Sequence, residues 1–199
     1  TTDFATSDKQ SADFSSLNVW AVNNNRDWFW VDGVLERQTM DKNIDELFKY
    51  CQKYSPQSVG IEVSGQQAGF VSWIEKEMLT RNIFFSLASE SNEGRAGIRP
   101  STSKLQRFNV AVPYFKMGEM FFPVEEKGGV ALDEMLDELS LTTVGGFKSK
   151  HDDALDTISM LPLMPIWLPS SSTEFTQGKS KIWGTTVETG SEFTASYFC

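Results

Sequence analysis

The sequence predicts a mixed α/β fold, a β-sheet of three antiparallel strands extended by parallel strands and flanked by helices. Three observations carry that expectation. Leu17, Val19 and Ala21 alternate with polar or outward-facing neighbours, which marks a strand early in the chain. Ile44, Leu47, Phe48 and Cys51 recur at helical spacing and form one apolar stripe. Beyond residue 58 strand and helix signals alternate, the order that gives parallel strands with helical crossovers.

Taken in order, a strand stub ends near Asp3, and strands follow over 15–22 and 28–35. The cluster Asn23-Asn24-Asn25 between them signals a hairpin turn. A helix is expected over 42–54, stopped by Pro56, then a short strand over 58–63. A helix over 69–81 buries Phe70, Val71, Ile74 and Met78, and a strand follows over 83–87. The spacing of Leu105, Phe108 and Val112 predicts a helix over 102–112 that ends before Pro113. A short strand at 120–122 and amphipathic helices over 130–139 and 152–161 complete the pattern. Pro162, Pro165 and Pro169 then mark a boundary, so 1–165 reads as one domain and 166–199 as an extension packed on it, with β-like composition over 181–198 and a turn at Gly190. The order of elements has the ribonuclease H-like topology among its candidates.

Composition narrows the function classes. The 199 residues carry 18 basic and 27 acidic side chains, a net charge of −9, with 40% hydrophobic and 13% aromatic residues. That is enough apolar material to build a core, and no apolar run approaches a membrane span of about 20 residues. Cys51 and Cys199 make no disulfide or metal-ligand framework, which suits a cytoplasmic setting. The chain opens at Thr1 with no signal-peptide pattern and reads as an excised domain. A net negative charge argues against general adhesion to DNA, so any nucleic-acid role must rest on local charge. That charge is uneven: Arg95, Arg99, Lys104, Arg107 and Lys116 stand in 94–117 without an acid, whereas seven acids face one lysine over 119–138. Most such runs are simply solvated faces.

Three acidic positions invite a chemical reading. Asp3 ends the first strand, and Glu62 sits in Val59-Gly60-Ile61-Glu62-Val63, where Ile61 and Val63 pack on one face and Glu62 points to the other. An edge strand with a solvated face is the plainer explanation. The third position is His151-Asp152-Asp153-Ala154-Leu155-Asp156 at a helix start. Acids there complement the helix dipole, yet Asp152, Asp153 and Asp156 crowd like charges on one side. A divalent cation would neutralise them, and oxygen-only donors suit Mg²⁺ or Mn²⁺ rather than zinc. His151 is the single histidine, which excludes a His/Cys zinc site; it serves equally as a plain helix cap. Gly178-Lys179-Ser180 resembles the end of a phosphate loop, but Thr173 stands where the opening glycine belongs, so no ATPase is expected on this chain.

Asp3-Phe4-Ala5-Thr6-Ser7 and Ala12-Asp13-Phe14-Ser15 resemble the "D-x-A-x-S … A-D-x-S" opening of the nuclease domain of tailed-bacteriophage large terminase subunits. Val59-Gly60-Ile61-Glu62 is similar to the second acidic strand of that family. Ser103-Lys104-Leu105-Gln106-Arg107 looks like its "S-K-x-x-R" helix, followed by a 114–122 segment, and Lys150-His151-Asp152-Asp153-Ala154-Leu155-Asp156 like its closing "H-D-D-x-x-D" helix. The motifs run in order from residue 3 to about 165. The resemblance implies a ribonuclease H-like endonuclease that cuts concatemeric viral DNA during packaging. It implies Asp3, Glu62 and Asp153 as catalytic, Asp3, Glu62, Asp152, Asp153 and Asp156 as ligands of two Mg²⁺ or Mn²⁺ ions, and His151 as auxiliary. Arg95, Arg99, Lys104, Arg107, Lys148 and Lys150 become candidates for gripping double-stranded DNA by its phosphates, with little sequence preference. Implied partners are the N-terminal ATPase domain of a full-length subunit, a portal and a small terminase, with no membrane, in host cytoplasm and outside the mature virion. Another ribonuclease H-like nuclease, such as a Holliday-junction resolvase or transposase core, would use the same acids. A non-catalytic docking domain would need no metal.

Overall fold

The sheet is built outward from a hairpin. Asn23 Oδ1 accepts the backbone N–H groups of Asn25 and Asp27, both at 2.9 Å, and its amide donates to Asp27 Oδ2 at 2.7 Å, so one side chain closes the turn. In the computed structural model, which describes residues 1–5, 13–63, 68–143, 145–149, 151–169, 181–182 and 185–186, this turn joins β2 (Ser15–Val22) to β3 (Trp28–Glu36). β1 (Thr2–Asp3) pairs antiparallel with β2, and β4 (Met120–Phe121) pairs parallel with β3, giving the order β1-β2-β3-β4. The expected mixed sheet is therefore present.

β3 carries one residue more than β2 across their ladder. Val19 pairs with Asp32 but Trp20 with Trp30, a bulge that brings Trp28 and Trp30 to the same face as Gly33. Gly33 is needed there, because a Cβ would stand 2.6 Å from Asn18 Oδ1. Buried Asn18 uses that space fully: its oxygen accepts from Trp30 Nε1 at 2.7 Å and its amide donates to Ser16 and Thr157, both at 2.9 Å.

On the other side of β1 the expected strands over 58–63 and 83–87 are extended but joined only by single bridges, Thr2 to Ile61, Val59 to Leu87 and Glu62 to Ile98, all parallel. Gly60 explains how tightly this part packs: a Cβ would meet Ile98 Cδ1 at 2.7 Å and Met164 Sδ at 2.8 Å. Parallel bridging of Thr2 to Ile61 sets Asp3 and Glu62 side by side at the C-terminal ends of neighbouring segments.

α1 (Met40–Tyr54) and α2 (Ala68–Arg81) cover one face, where Ile44, Leu47, Phe48, Ile74 and Met78 pack with Phe4, Leu17, Val59 and Ile61. α1 ends where Ser55 turns left-handed (φ 45°), its N–H returning to the Cys51 carbonyl, and Pro56 follows. α3 (Lys104–Met117), α4 (Val130–Ser140) and α5 (Asp153–Met160) cover the other face around Trp28, Trp30, Phe108, Met135, Leu155 and Ile158. A two-stranded ribbon, β5 (Thr142–Thr143) with β6 (Gly146–Phe147), links α4 to α5. α5 is followed by a 3₁₀ turn at Leu161–Leu163.

The expected end of the third helix before Pro113 is corrected. α3 runs through Pro113 to Gly118, which closes it at φ 74°. Proline costs a helix the bond from its own nitrogen to the carbonyl four residues back, here Asn109; both residues are exposed, so water can satisfy that carbonyl. Beyond Pro113, Tyr114 and Phe115 pack on the apolar face and hold the last turn in place. The expected extension over 166–199 lies mostly outside the described residues, of which β7 (Lys181–Ile182) and β8 (Thr185–Thr186) pair with each other. No helix among the described residues is long and apolar enough to cross a membrane.

Candidate active site

β1, the adjoining 59–63 segment and α5 converge on one point. Asp3 from β1, Glu62 beside it and Asp156 from the first turn of α5 each offer a carboxylate oxygen, and these atoms lie within 4.8 Å of one another. Strand ends of this kind are where open α/β sheets place their sites. Alternation puts Gly60 and Glu62 on the α5 side while Val59 and Ile61 enter the apolar cluster under α1, so Glu62 is directed by the burial of its neighbours.

The crowding shows in the acid strengths. Burial, then the negative charges of Glu62 and Asp156, raise the Asp3 carboxyl to about 8. Asp156 is also raised by burial, although Lys104 and Arg107 pull it down. Lys104 Nζ is shared between Asp156 Oδ2 at 2.5 Å and Asp152 Oδ1 at 3.0 Å. Burial works against its ammonium, but the two carboxylates prevail and hold the charged form. Arg107 Nη2 donates to Asp156 Oδ1 at 2.9 Å and stands 3.6 Å from Glu62 Oε2.

The other expected site residues are distributed as follows. Asp153 is buried, and its Oδ2 accepts the Phe14 backbone N–H at 3.0 Å, outside the Asp3–Glu62–Asp156 group. Its carboxyl is raised by burial, against the pull of that N–H. His151 is half-buried with its ring at 81° to that of Phe14 and their centroids 5.0 Å apart, and the Arg37 guanidinium lies over the Phe14 ring, 3.7 Å from its centroid. Arg95, Arg99 and Lys148 are exposed, and Arg99 follows Ile98, the bridge partner of Glu62. Lys150 lies outside the described residues, as do Thr6, Ser7 and Ala12 of the opening motif.

One contributor escaped the sequence reading. Glu138 of α4 is fully buried, and its carboxylate accepts the N–H groups of Leu155 at 3.0 Å and Ala154 at 3.5 Å, so it caps α5 from a different helix. Burial raises its carboxyl to about 7, against those two N–H groups. The available signal was its position six residues after Leu132 and three after Met135, on the buried stripe of α4.

The fold is shared with a phage nuclease. The large terminase nuclease of thermophilic phage G20c, solved with bound magnesium, matches with a TM-score of 0.52 over 80% of this chain and 76% of its own, at 16% identity. No protein-family model and no curated sequence matches this chain. The likeness shows the fold alone, the expected ribonuclease H-like mixed sheet with helices on both faces, and covers most of both chains.

The donor set can be tested against a metal ion from its own chemistry. Asp3, Glu62 and Asp156 supply only oxygens, with no histidine or cysteine among them, as hard divalent cations require. Three carboxylates kept this close, one so reluctant to ionise, would be relieved by a positive ion more than by water. The residues fit Mg²⁺ or Mn²⁺.

Proposed function

We propose that this domain is a divalent-metal-dependent DNA endonuclease of the large terminase type, hydrolysing phosphodiester bonds in concatemeric viral DNA during packaging. The observation that carries the reading is the meeting of Asp3, Glu62 and Asp156 at the ends of adjacent parallel segments, on a fold shared with a terminase nuclease. In this reading those three residues hold the catalytic cation, with Asp152 and Asp153 beside them for a second. The bound ions would activate water and stabilise the leaving oxygen.

The chain's own part is positioning. Glu138 fixes the first turn of α5, Asn18 ties Thr157 of the same helix to the sheet, and the paired backbone of 59–63 sets Glu62 against Asp3. Exposed Arg95, Arg99 and Lys148, with Lys150, would draw the DNA backbone toward an otherwise acidic surface without reading bases. An ATPase domain in the same subunit, a portal and a small terminase in the host cytoplasm are the partners this role calls for.

The test is cleavage of supercoiled plasmid and linear duplex with Mg²⁺, Mn²⁺ or EDTA, beside Asp3→Asn, Glu62→Gln and Asp156→Asn. Metal-dependent nicking should fall at least about a hundredfold in each folded variant. Cutting that survives EDTA, or variants that cut like the parent, would overturn the assignment, and cutting confined to branched DNA would favour a resolvase.

A further inference from the structure

Two cations reach the acidic cluster from the same turn of α3, and they are held in different ways. A capping box pins that turn: Ser103 Oγ accepts the Gln106 N–H while the Gln106 side chain accepts the Ser103 N–H. Lys104 and Arg107, three apart, therefore share one face. A cation so near a helix N-terminus is opposed by the helix dipole, so its place must be secured by neighbouring acids.

Arg107 is enclosed. It is 7% exposed, and besides Asp156 and Glu62 its guanidinium donates to the Thr102 carbonyl at 3.3 Å and to Ser159 Oγ at 3.4 Å. Its planar fork is used on several sides at once. Lys104 is 44% exposed and meets the cluster through its terminal ammonium, at Asp156 and Asp152. A flexible stem carrying one point charge can leave without disturbing the backbone.

We propose that Lys104 is an exchangeable placeholder, its ammonium neutralising Asp156 and Asp152 until a divalent cation takes over those carboxylates, after which Lys104 turns to the surface and offers its charge to a DNA phosphate. Arg107 stays, a positioning residue that keeps Glu62 and Asp156 together in both states. The inference rests on the metal-site reading above and adds its control: the metal site and the DNA grip share one lysine. By linkage, DNA that draws Lys104 outward must also tighten metal binding.

The test is Mn²⁺ binding, followed by electron paramagnetic resonance and calorimetry without turnover, for the parent, Lys104→Met, Lys104→Arg and Arg107→Lys, with circular dichroism checking the fold. Removing the competing charge in Lys104→Met should tighten Mn²⁺ binding roughly three- to tenfold, as expected for a half-exposed ion pair. Lys104→Arg, which keeps the charge, should bind Mn²⁺ like the parent. Arg107→Lys should weaken binding by about tenfold, because one ammonium lacks the planar fork that reaches Asp156, Glu62, Thr102 and Ser159 from three separate nitrogens. A merely structural Lys104 would lower thermal stability without tightening metal binding. Parent protein that binds Mn²⁺ while Lys104→Met binds no tighter overturns the exchange alone. Arg107→Lys binding like the parent removes Arg107 from the scheme. If neither parent nor Lys104→Met binds Mn²⁺, the metal-site reading falls and the exchange with it.

Discussion

The face of the sheet under α1 and α2 and the face under α3, α4 and α5 are both closed to water, by different chemistry. The first is almost wholly apolar: Ile44, Leu47, Phe48, Ile61 and Ile74 are each no more than 2% exposed, and the buried polar side chain of α1, Asn43, donates to Ser15. The second encloses an entire helix, α5, all eight residues of which are buried, among them Asp153, Asp156, Thr157 and Ser159. Each of those polar side chains is engaged: Asp153 by Phe14, Asp156 by Lys104 and Arg107, and the hydroxyls of Thr157 and Ser159 by backbone carbonyls one turn back. Apolar burial asks only for area and shape, whereas buried charge asks for a partner at every oxygen. One face therefore holds by apolar packing, and the other holds buried charges whose stability depends on pH and ions.

The largest expected effect separates the faces by pH. In the metal-free fold Asp3 holds its proton to about pH 8, against an ordinary value of 3.8. Between those values the native state binds more protons than the unfolded chain, so stability falls as pH rises, by up to about 1.4 kcal/mol per pH unit. Urea unfolding in EDTA from pH 4.5 to 8 should show that slope, reduced in Asp3→Asn, whose amide has no proton to lose. Equal slopes in parent and variant would break the contrast.

On the apolar face, Phe48→Ala should cost about 3–5 kcal/mol, through lost transfer energy and the cavity left behind. The loss should be the same at pH 5 and pH 8, with Mn²⁺ affinity unchanged. A pH-dependent loss would mean that the two faces are coupled through the sheet.

A smaller effect is expected at Glu138. Its replacement by alanine leaves the Leu155 and Ala154 N–H groups without their acceptor inside the protein, worth about 1–3 kcal/mol in unfolding experiments. Because the same turn carries Asp156, Mn²⁺ affinity should fall as well, unlike in Phe48→Ala. Lost stability with metal affinity intact would make Glu138 a cap and nothing more.

Much of this architecture was legible in advance because it is periodic. α1, α2 and α4 fall close to the expected spans, since an apolar stripe at helical spacing has few other ways to be buried. The hairpin and its Asn-rich turn were equally plain. What failed was whatever depended on one neighbour. Pro113 reads as a stop locally, yet Tyr114 and Phe115 have a core to enter. Glu138 belongs to an acidic run that reads as solvated, and it is buried because α5 presents unpaired N–H groups to it. Arg107, a candidate phosphate contact by its motif, is in addition buried beside Glu62 and Asp156, which spacing along the chain does not foretell.

By itself, then, the sequence determined the order of elements, the two apolar faces and the acidic positions at strand and helix ends, all of which follow from residue spacing along a single element. The tertiary structure decided which acids meet. Asp153 and Asp156 are three residues apart on α5, so they project in related but distinct directions. The Phe14 backbone captures the first, and the ends of β1 and the 59–63 segment receive the second. That choice depends on how α5 is rotated and seated against the sheet, which is set by Asn18, Thr157, Glu138 and the packing of Leu155 and Ile158 on residues far away in the chain.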